Sequence, residues 1–221
     1  MISDIYIDGK SVKNEYGLLL ASKTISAPSV RTNMIVVPGR DGAIDATDAL
    51  TGEPTYDTRI ISISLFGIKS ISGKEWPVAV SDFCNAFHGK KVEVYFPEDS
   101  AHYYSGRLSV GEIKLDGGRQ LLPVEIICDP WKYKNSETTV TSSDLSSEYK
   151  QLSLFNESRP VIPKITVEQE TMLLWKGSTI NASAGSHIFP DIRLSAGENI
   201  LEAKVSSGTG VITVTYQEAS L

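Results

Sequence analysis

The stretch TRIISISLFG, Thr58 to Gly67, constrains the fold more than any other part of the chain. Ile61, Ile63 and Leu65 alternate with Ser62 and Ser64, the period of two that a β-strand with one buried face requires. A helix would scatter those residues around its axis and leave no apolar stripe. The chain therefore builds a sheet and needs something to cover its apolar side. Other segments read the same way. DIYIDGKSV alternates up to an Asp8-Gly9 turn, and NEYGLLLAS and TNMIVV precede a polar loop that starts at Pro38. KVEVYFPED, HYYSGRLSVGEIKL and QLLPVEIICDPWKY follow, with DGGR as a tight turn. Pro123 places its strand at an edge or a bulge.

One segment has a different period. In WPVAVSDFCNAFHGKK, Val80, Phe83, Cys84 and Phe87 recur at helical spacing, Pro77 suits the first turn and Gly89 supplies a left-handed stop. A helix over about 77–88 is predicted, its apolar stripe against the sheet.

With 221 residues the chain has room for two cores. From Asn135 to Tyr149 the sequence is rich in Ser and Thr and shows no periodicity, as a connector over 135–150 would. It separates a domain at 1–134 from one at 151–221. The later part is a run of short strands between Gly, Asn and Ser turns, the spacing of a small β-sandwich. The fold class is mainly β: a larger N-terminal β domain with one helix and a smaller C-terminal sandwich. So small a sandwich has a thin core, so it is expected to dock on the first domain or on a partner.

Charge and motifs remove several function classes. The net charge is −6 with Lys and Arg scattered along the chain, which gives no footprint for stable nucleic-acid binding. No leader is expected from MISDIYIDGK, and no stretch approaches the roughly 18 apolar residues of a membrane span. Cys84 and Cys128 sit in apolar contexts and read as reduced core residues. Asp41, Asp45 and Asp48 invite a calcium reading, but Ala43 and Ala46 stand where an EF-hand loop needs an oxygen ligand and a glycine, so no metal is expected. His88, His102 and His187 are isolated from cysteine and from one another and read as structural, and no HExxH, CxxC or GxSxG stretch accompanies them. No phosphate-binding glycine loop is present, no spacing selects a pair of carboxylates, and no cofactor is expected. Asn156-Glu157-Ser158 and Asn181-Ala182-Ser183 match the glycosylation tripeptide but are discounted. Trp175, Tyr103 and Tyr104 stand near turns, where exposed aromatics stack on sugars; Trp175 is the candidate glycan contact for a reading as a carbohydrate-binding module. A cell-wall hydrolase is a third reading without a catalytic constellation behind it.

VVPGRDGAIDAT followed by YDTRIISISLFG, the helix ending FHGKK, the stretch EIICDPWKY, and the later PVIPKITV, LSAGENIL and GVITVTY together resemble the distal tail proteins of long-tailed siphophages, over nearly the whole chain. The resemblance implies an N-terminal β-sandwich with a helix that forms a hexameric ring beneath the tail tube. It also implies a smaller galectin-like sandwich that holds the receptor-binding apparatus. The implied partners are the tail tube protein, a tail-associated lysin or fibre and other copies of the chain. The implied place is the virion tail tip, assembled in the bacterial cytoplasm, with no enzymatic activity. On that reading the exposed glycine-bearing loop is a clamp between subunits, with Arg40, Asp41 and Asp45 reaching a neighbour. A ring of this kind uses one patch against a different patch, and an acidic balance suits a conduit through which DNA must slide without sticking.

Overall fold

The computed structural model describes residues 4–49, 52–68, 71 and 73–221. The chain divides into two units, Met1–Lys132 with Leu221, and Tyr133–Ser220.

In the first unit, β1 (Tyr6–Ile7) and β2 (Lys10–Ser11) meet at Asp8-Gly9, both of which have positive φ, 49° and 74°, as a two-residue hairpin turn demands. A short helix follows that periodicity did not reveal, α1 (Val12–Tyr16). Its ends explain it. The Ser11 hydroxyl accepts a hydrogen bond from the Asn14 N–H at 3.0 Å, and Gly17, at φ 68°, donates its N–H to the Lys13 carbonyl at 2.9 Å. Ser11→Ala is expected to cost about 1 kcal/mol, read as a lowered urea midpoint with an unchanged slope.

The chain continues through β3 (Leu18–Ile25), β4 (Met34–Val36), β5 (Ala43–Asp45) and β6 (Arg59–Gly67) to α2 (Trp76–Phe87). Then come β7 (Lys91–Tyr95), β8 (His102–Val110), β9 (Lys114–Asp116) and the long β10 (Arg119–Lys134). The main sheet runs β2-β1-β7-β8-β10-β6-β3. Its register places Ile61, Ile63 and Leu65 opposite Ile126, Val124 and Leu122, so the alternation that opened the sequence reading becomes a continuous apolar face, all six side chains buried. Helix α2 covers that face. Its buried stripe is Ala79, Phe83 and Phe87, one position round from the expected set, with Val80 and Cys84 at the margin. Tyr16 meets the rings of Phe83 and Phe87 edge-on at 5.7 and 5.5 Å, which ties α1 to α2. Gly89, at φ 76°, follows the helix as anticipated.

The second unit holds β11 (Thr138–Leu145), β12 (Lys150–Asn156), β13 (Lys164–Val167), β14 (Thr171–Trp175) and β15 (Ser178–Ala182). After them come β16 (Gly185–Ile188), β17 (Gly197–Val205), β18 (Gly210–Tyr216) and β19 (Ala219–Ser220). Two four-stranded sheets form, β11-β18-β13-β16 and β12-β17-β14-β15. Ile165, Val167, Ile212 and Val214 of the first share one core with Leu154, Leu173, Leu201 and Ala203 of the second, which is a sandwich. The segment 135–150, expected as a connector, differs from that expectation. Its middle, Thr138–Leu145, is β11, paired with β18 from Thr138↔Tyr216 onward. Its Thr and Ser side chains suit a strand with one wet face, and the partner is too remote in sequence to show in a local pattern.

Candidate functional site

Between β3 and β6 the chain leaves the main sheet as an arm. Its base is a ladder: Ser26 N–H to Ile60 carbonyl at 3.0 Å, Asp57 N–H to Ser29 carbonyl at 2.9 Å and Arg31 N–H to Thr55 carbonyl at 2.8 Å. The Arg31 guanidinium bonds the Asp57 carboxylate beside it at 2.5 Å, and Tyr56 packs edge-on against Trp131 at 5.5 Å. Further out, the Ala46 N–H donates to the Asn33 carbonyl at 2.8 Å and the Asn33 N–H to the Thr47 hydroxyl at 3.1 Å. Beyond that β4 and β5 pair with each other, Met34↔Asp45 to Val36↔Ala43, and among the described residues with no strand of the main sheet.

Every residue from Ser29 to Asp45 is exposed. That includes Met34 at 56%, Ile35 at 47%, Val36 at 77% and Ile44 at 38%. Large aliphatic side chains on both faces of a two-stranded ribbon gain nothing from water, and an isolated hairpin is marginal. Contiguous exposed apolar surface of this kind marks a contact site. In composition TNMIVV is a core strand, so its exposure is not visible from the residues alone. What distinguishes it is the lack of alternation, which denies it a buried and a wet face.

Arg40 and Asp41 sit in the turn joining β4 to β5, both exposed, flanked by Gly39 and Gly42 at φ 81° and 74°. These two glycines provide left-handed backbone that other residues rarely adopt. Asp45 is at the inner end of β5 and faces its own chain. Its carboxylate accepts the Thr47 N–H at 2.9 Å, and bonds from the Thr47 hydroxyl and N–H hold its pKa below the usual carboxylate value. The three residues share one arm, two at its tip and Asp45 at the inner end of its ribbon. Asp48 is exposed in the same loop; Leu50 and Thr51 lie outside the described residues.

The other residues singled out fall elsewhere. Trp175 is 4% exposed within the sandwich core, and Lys176 lies over its ring at 5.1 Å. Trp175 packs in one core with Leu201 and Ala203 of β17, so burial argues against the ring as a glycan platform, although the residue also lines a shallow surface pocket with Lys176, Glu198 and Glu202. Asn156 is fully buried, its amide donating to the Arg159 carbonyl at 2.8 Å, so its tripeptide is closed to modification. His88 accepts the Val110 N–H at 3.0 Å, His102 meets Asp99 at 2.7 Å and His187 meets the Ser183 carbonyl at 2.6 Å. Each is engaged locally, and among the described residues no group of His, Cys, Asp and Glu is placed to hold a metal ion. Both cysteines are free. Burial raises the Cys84 thiol and pushes Cys128 up to about 12, far from a reactive thiolate. Among the described residues no helix is long and apolar enough to cross a membrane.

No family model matches the chain, and no curated protein matches it in sequence. A designed double-stranded β-helix aligns with 38% of the chain at a TM-score of 0.28 and 18% identity, too distant to carry an argument. SPP1 Dit (gp 19.1), a hub of the adsorption apparatus in phages that infect Gram-positive bacteria, aligns over 100% of both chains at a TM-score of 0.68 with 15% identity. The mainly β fold of this protein is therefore similar to that of SPP1 Dit over the whole of both aligned chains.

Proposed function

We propose that the protein is a structural hub of a siphophage tail tip. In this reading six copies form a ring through the first unit, beneath the tail tube. The second unit, a galectin-like sandwich, faces the lysin, fibre or receptor-binding proteins. The part is mechanical and involves no chemistry on a substrate, and the place is the virion, with assembly in the host cytoplasm. The observation that carries it is the agreement of fold with a phage hub over the full length of both aligned chains, joined to an arm whose aliphatic residues are exposed. The arm is the subunit contact, with Arg40, Asp41 and Asp45 as the residues that reach a neighbour. The scattered basic residues and net charge of −6 leave a channel for DNA without an adhesive lining.

Native mass spectrometry and negative-stain images of the purified chain test this: a closed ring of six is expected, and a chain that remains monomeric at every concentration sinks it. Val36→Lys with Ile44→Lys is expected to weaken assembly at least tenfold while leaving the melting temperature nearly unchanged, because both residues are already in water in the single chain.

A further inference from the structure

We propose that the outer face of the main sheet carries a site for a quaternary ammonium group, the trimethylammonium end of a choline-type ligand. This goes beyond the hub reading and does not rest on it. The site is an open pocket of about 220 Å³ lined by Tyr6, Gly9, Tyr95, Phe96, Pro97 and Ser100. That is room for one small head group, less than the roughly 300 Å³ from which pockets for whole small molecules start.

Strand alternation builds it. Ile7, Val94 and Tyr104 belong to the core, so their neighbours Tyr6, Tyr95 and Tyr103 face the other way on β1, β7 and β8. The register sets Tyr6 directly opposite Tyr95, and the rings of Tyr95 and Tyr103 lie 5.5 Å apart with their planes tilted by 33°. Three tyrosines thus form one row across three adjacent strands, with Tyr6 39% exposed. Pro97 and Ser100 close one end of the pocket in the turn after β7.

Acids surround the row. The Tyr95 hydroxyl donates to Oε2 of Glu93 at 2.7 Å, and the Glu93 N–H donates to Oδ1 of Asp8 at 2.8 Å. Asp4 accepts the hydroxyl of Ser11, the residue opposite Tyr6, at 2.6 Å. Burial first, then the bond to Glu93 and the charges of Glu93 and Asp8, raise the pKa of Tyr95. The nearby bases are engaged or lie on the other face. Lys23 sits over the Phe96 ring at 4.4 Å and pairs with Glu98, and Lys132 pairs with Asp99 at 2.8 Å. Lys91 lies 3.8 Å from Asp129, Arg107 donates to the Gly89 carbonyl, and Lys10 stands opposite Ile7 on the core side. Aromatic faces in a negative field attract a cation.

The kind of cation follows from the lining. None of its six residues carries a charge, and the carboxylates of Glu93 and Asp4 already accept from Tyr95 and Ser11. A lysine-type ammonium is strongly hydrated and needs acceptors for three N–H groups. A trimethylammonium needs none, and it gains by burying its methyl groups against rings and proline. The pocket therefore selects the methylated cation, with the carboxylates acting through their field.

Saturation-transfer NMR on the intact chain tests this with choline, with neopentyl carbinol as its uncharged carbon isostere, and with ethanolamine as its unmethylated counterpart. Expected is saturable transfer to the choline methyl groups in the millimolar range, with each comparison ligand about tenfold weaker. Tyr6→Leu is expected to weaken choline about tenfold, Tyr6→Phe to leave it unchanged because the ring remains, and Glu93→Gln to weaken it about threefold. Tyr149→Leu removes a ring elsewhere that already holds Lys204 at 4.4 Å and is expected to change nothing. Neopentyl carbinol binding as well as choline overturns the role of charge, and ethanolamine doing so overturns the choice of a methylated cation. No transfer from the parent protein to choline, or transfer that a folded Tyr6→Leu chain retains in full, removes the site; if that variant does not fold, the three ligands on the parent decide.

Discussion

Gly106→Ala is expected to destabilise the first unit by about 3 kcal/mol, more than its single added methyl group would suggest. Gly106 lies in β8, opposite Val92 of β7, with β10 on its other side. A Cβ at this position would stand 2.6 Å from the Ile127 carbonyl oxygen, 2.7 Å from the Cys128 Cα and 2.7 Å from the Cys128 Sγ. Two of those three atoms are backbone of a central strand, so relief means moving β8 away from β10 and stretching ladder bonds beneath the core. Overpacking of this sort costs roughly 1–3 kcal/mol and occasionally more, and backbone contacts put it at the upper end. Loss of glycine freedom in the unfolded chain returns only about 0.4–1 kcal/mol. Because the backbone of Gly106 is not left-handed, the cost is one of space alone. Thermal unfolding reads it as a fall of about 10 °C. Cys128→Ala in the same chain relieves the sulfur contact and recovers only a minor part, since the two backbone contacts persist. A melting temperature within a degree or two of the parent would refute the account.

That glycine also shows what sequence can and cannot disclose. Ile61, Ile63 and Leu65 announced their strand because alternation is local, and Phe83 and Phe87 announced their helix for the same reason. Gly106 sits in HYYSGRLSV, where its neighbours alone suggest a weak point in a strand; the reason for it lies in Ile127 and Cys128, about twenty residues away. β11 was missed on similar grounds. Its hydroxyl-rich run forms a strand only because β18 supplies the partner, some seventy residues later. α1 was hidden by brevity, five residues fixed by a serine cap and a glycine stop rather than by any stripe.

The arm divides the same way. Its turn was legible, since Gly39 and Gly42 flank a polar tip and both adopt positive φ. The charged tip drew attention first, although the aliphatic residues behind it expose far more area that prefers not to meet water. Exposure depends on what the rest of the fold declines to cover, and no window of sequence reports that. Trp175 is the converse case: an aromatic beside a Lys176-Gly177 turn looks accessible, but strand alternation points it into the sandwich.

Glu218 carries the second large effect, and it concerns the second unit. The residue is 2% exposed, a position where a carboxylate survives only if it is paired and fully bonded. Lys134 Nζ lies 2.8 Å from Oε1, the Thr138 hydroxyl donates to the same oxygen, and the Glu157 N–H donates to Oε2 at 3.1 Å. Burial by itself would raise the carboxyl pKa, but the lysine and the two other donors together outweigh it and hold the value below normal. The bond to Glu218 raises Lys134 in turn. Lys134 is about one-third exposed, so it can turn to water when its partner is lost, which keeps the cost of Glu218→Ala near the lower end of the range for breaking a buried pair, about 3 kcal/mol. Glu218→Gln, which still accepts a hydrogen bond, is expected to cost about half as much. The pH dependence follows from the shifts. A carboxyl whose folded pKa is depressed contributes its stability above the unfolded value, near 4.5, and loses it as pH falls through the lower folded value. A raised lysine contributes below its unfolded value, near 10.5, and loses that contribution as pH rises through the folded one. The pair therefore supports the sandwich fully between those limits and fails on either side. Glu218→Gln removes the acid limb contributed by this carboxyl, so the gap in stability between the parent and the variant narrows as pH falls below about 4.5. Urea titrations at pH 7 and pH 3 measure that gap; one that stayed constant would show that Glu218 is not the group whose protonation matters.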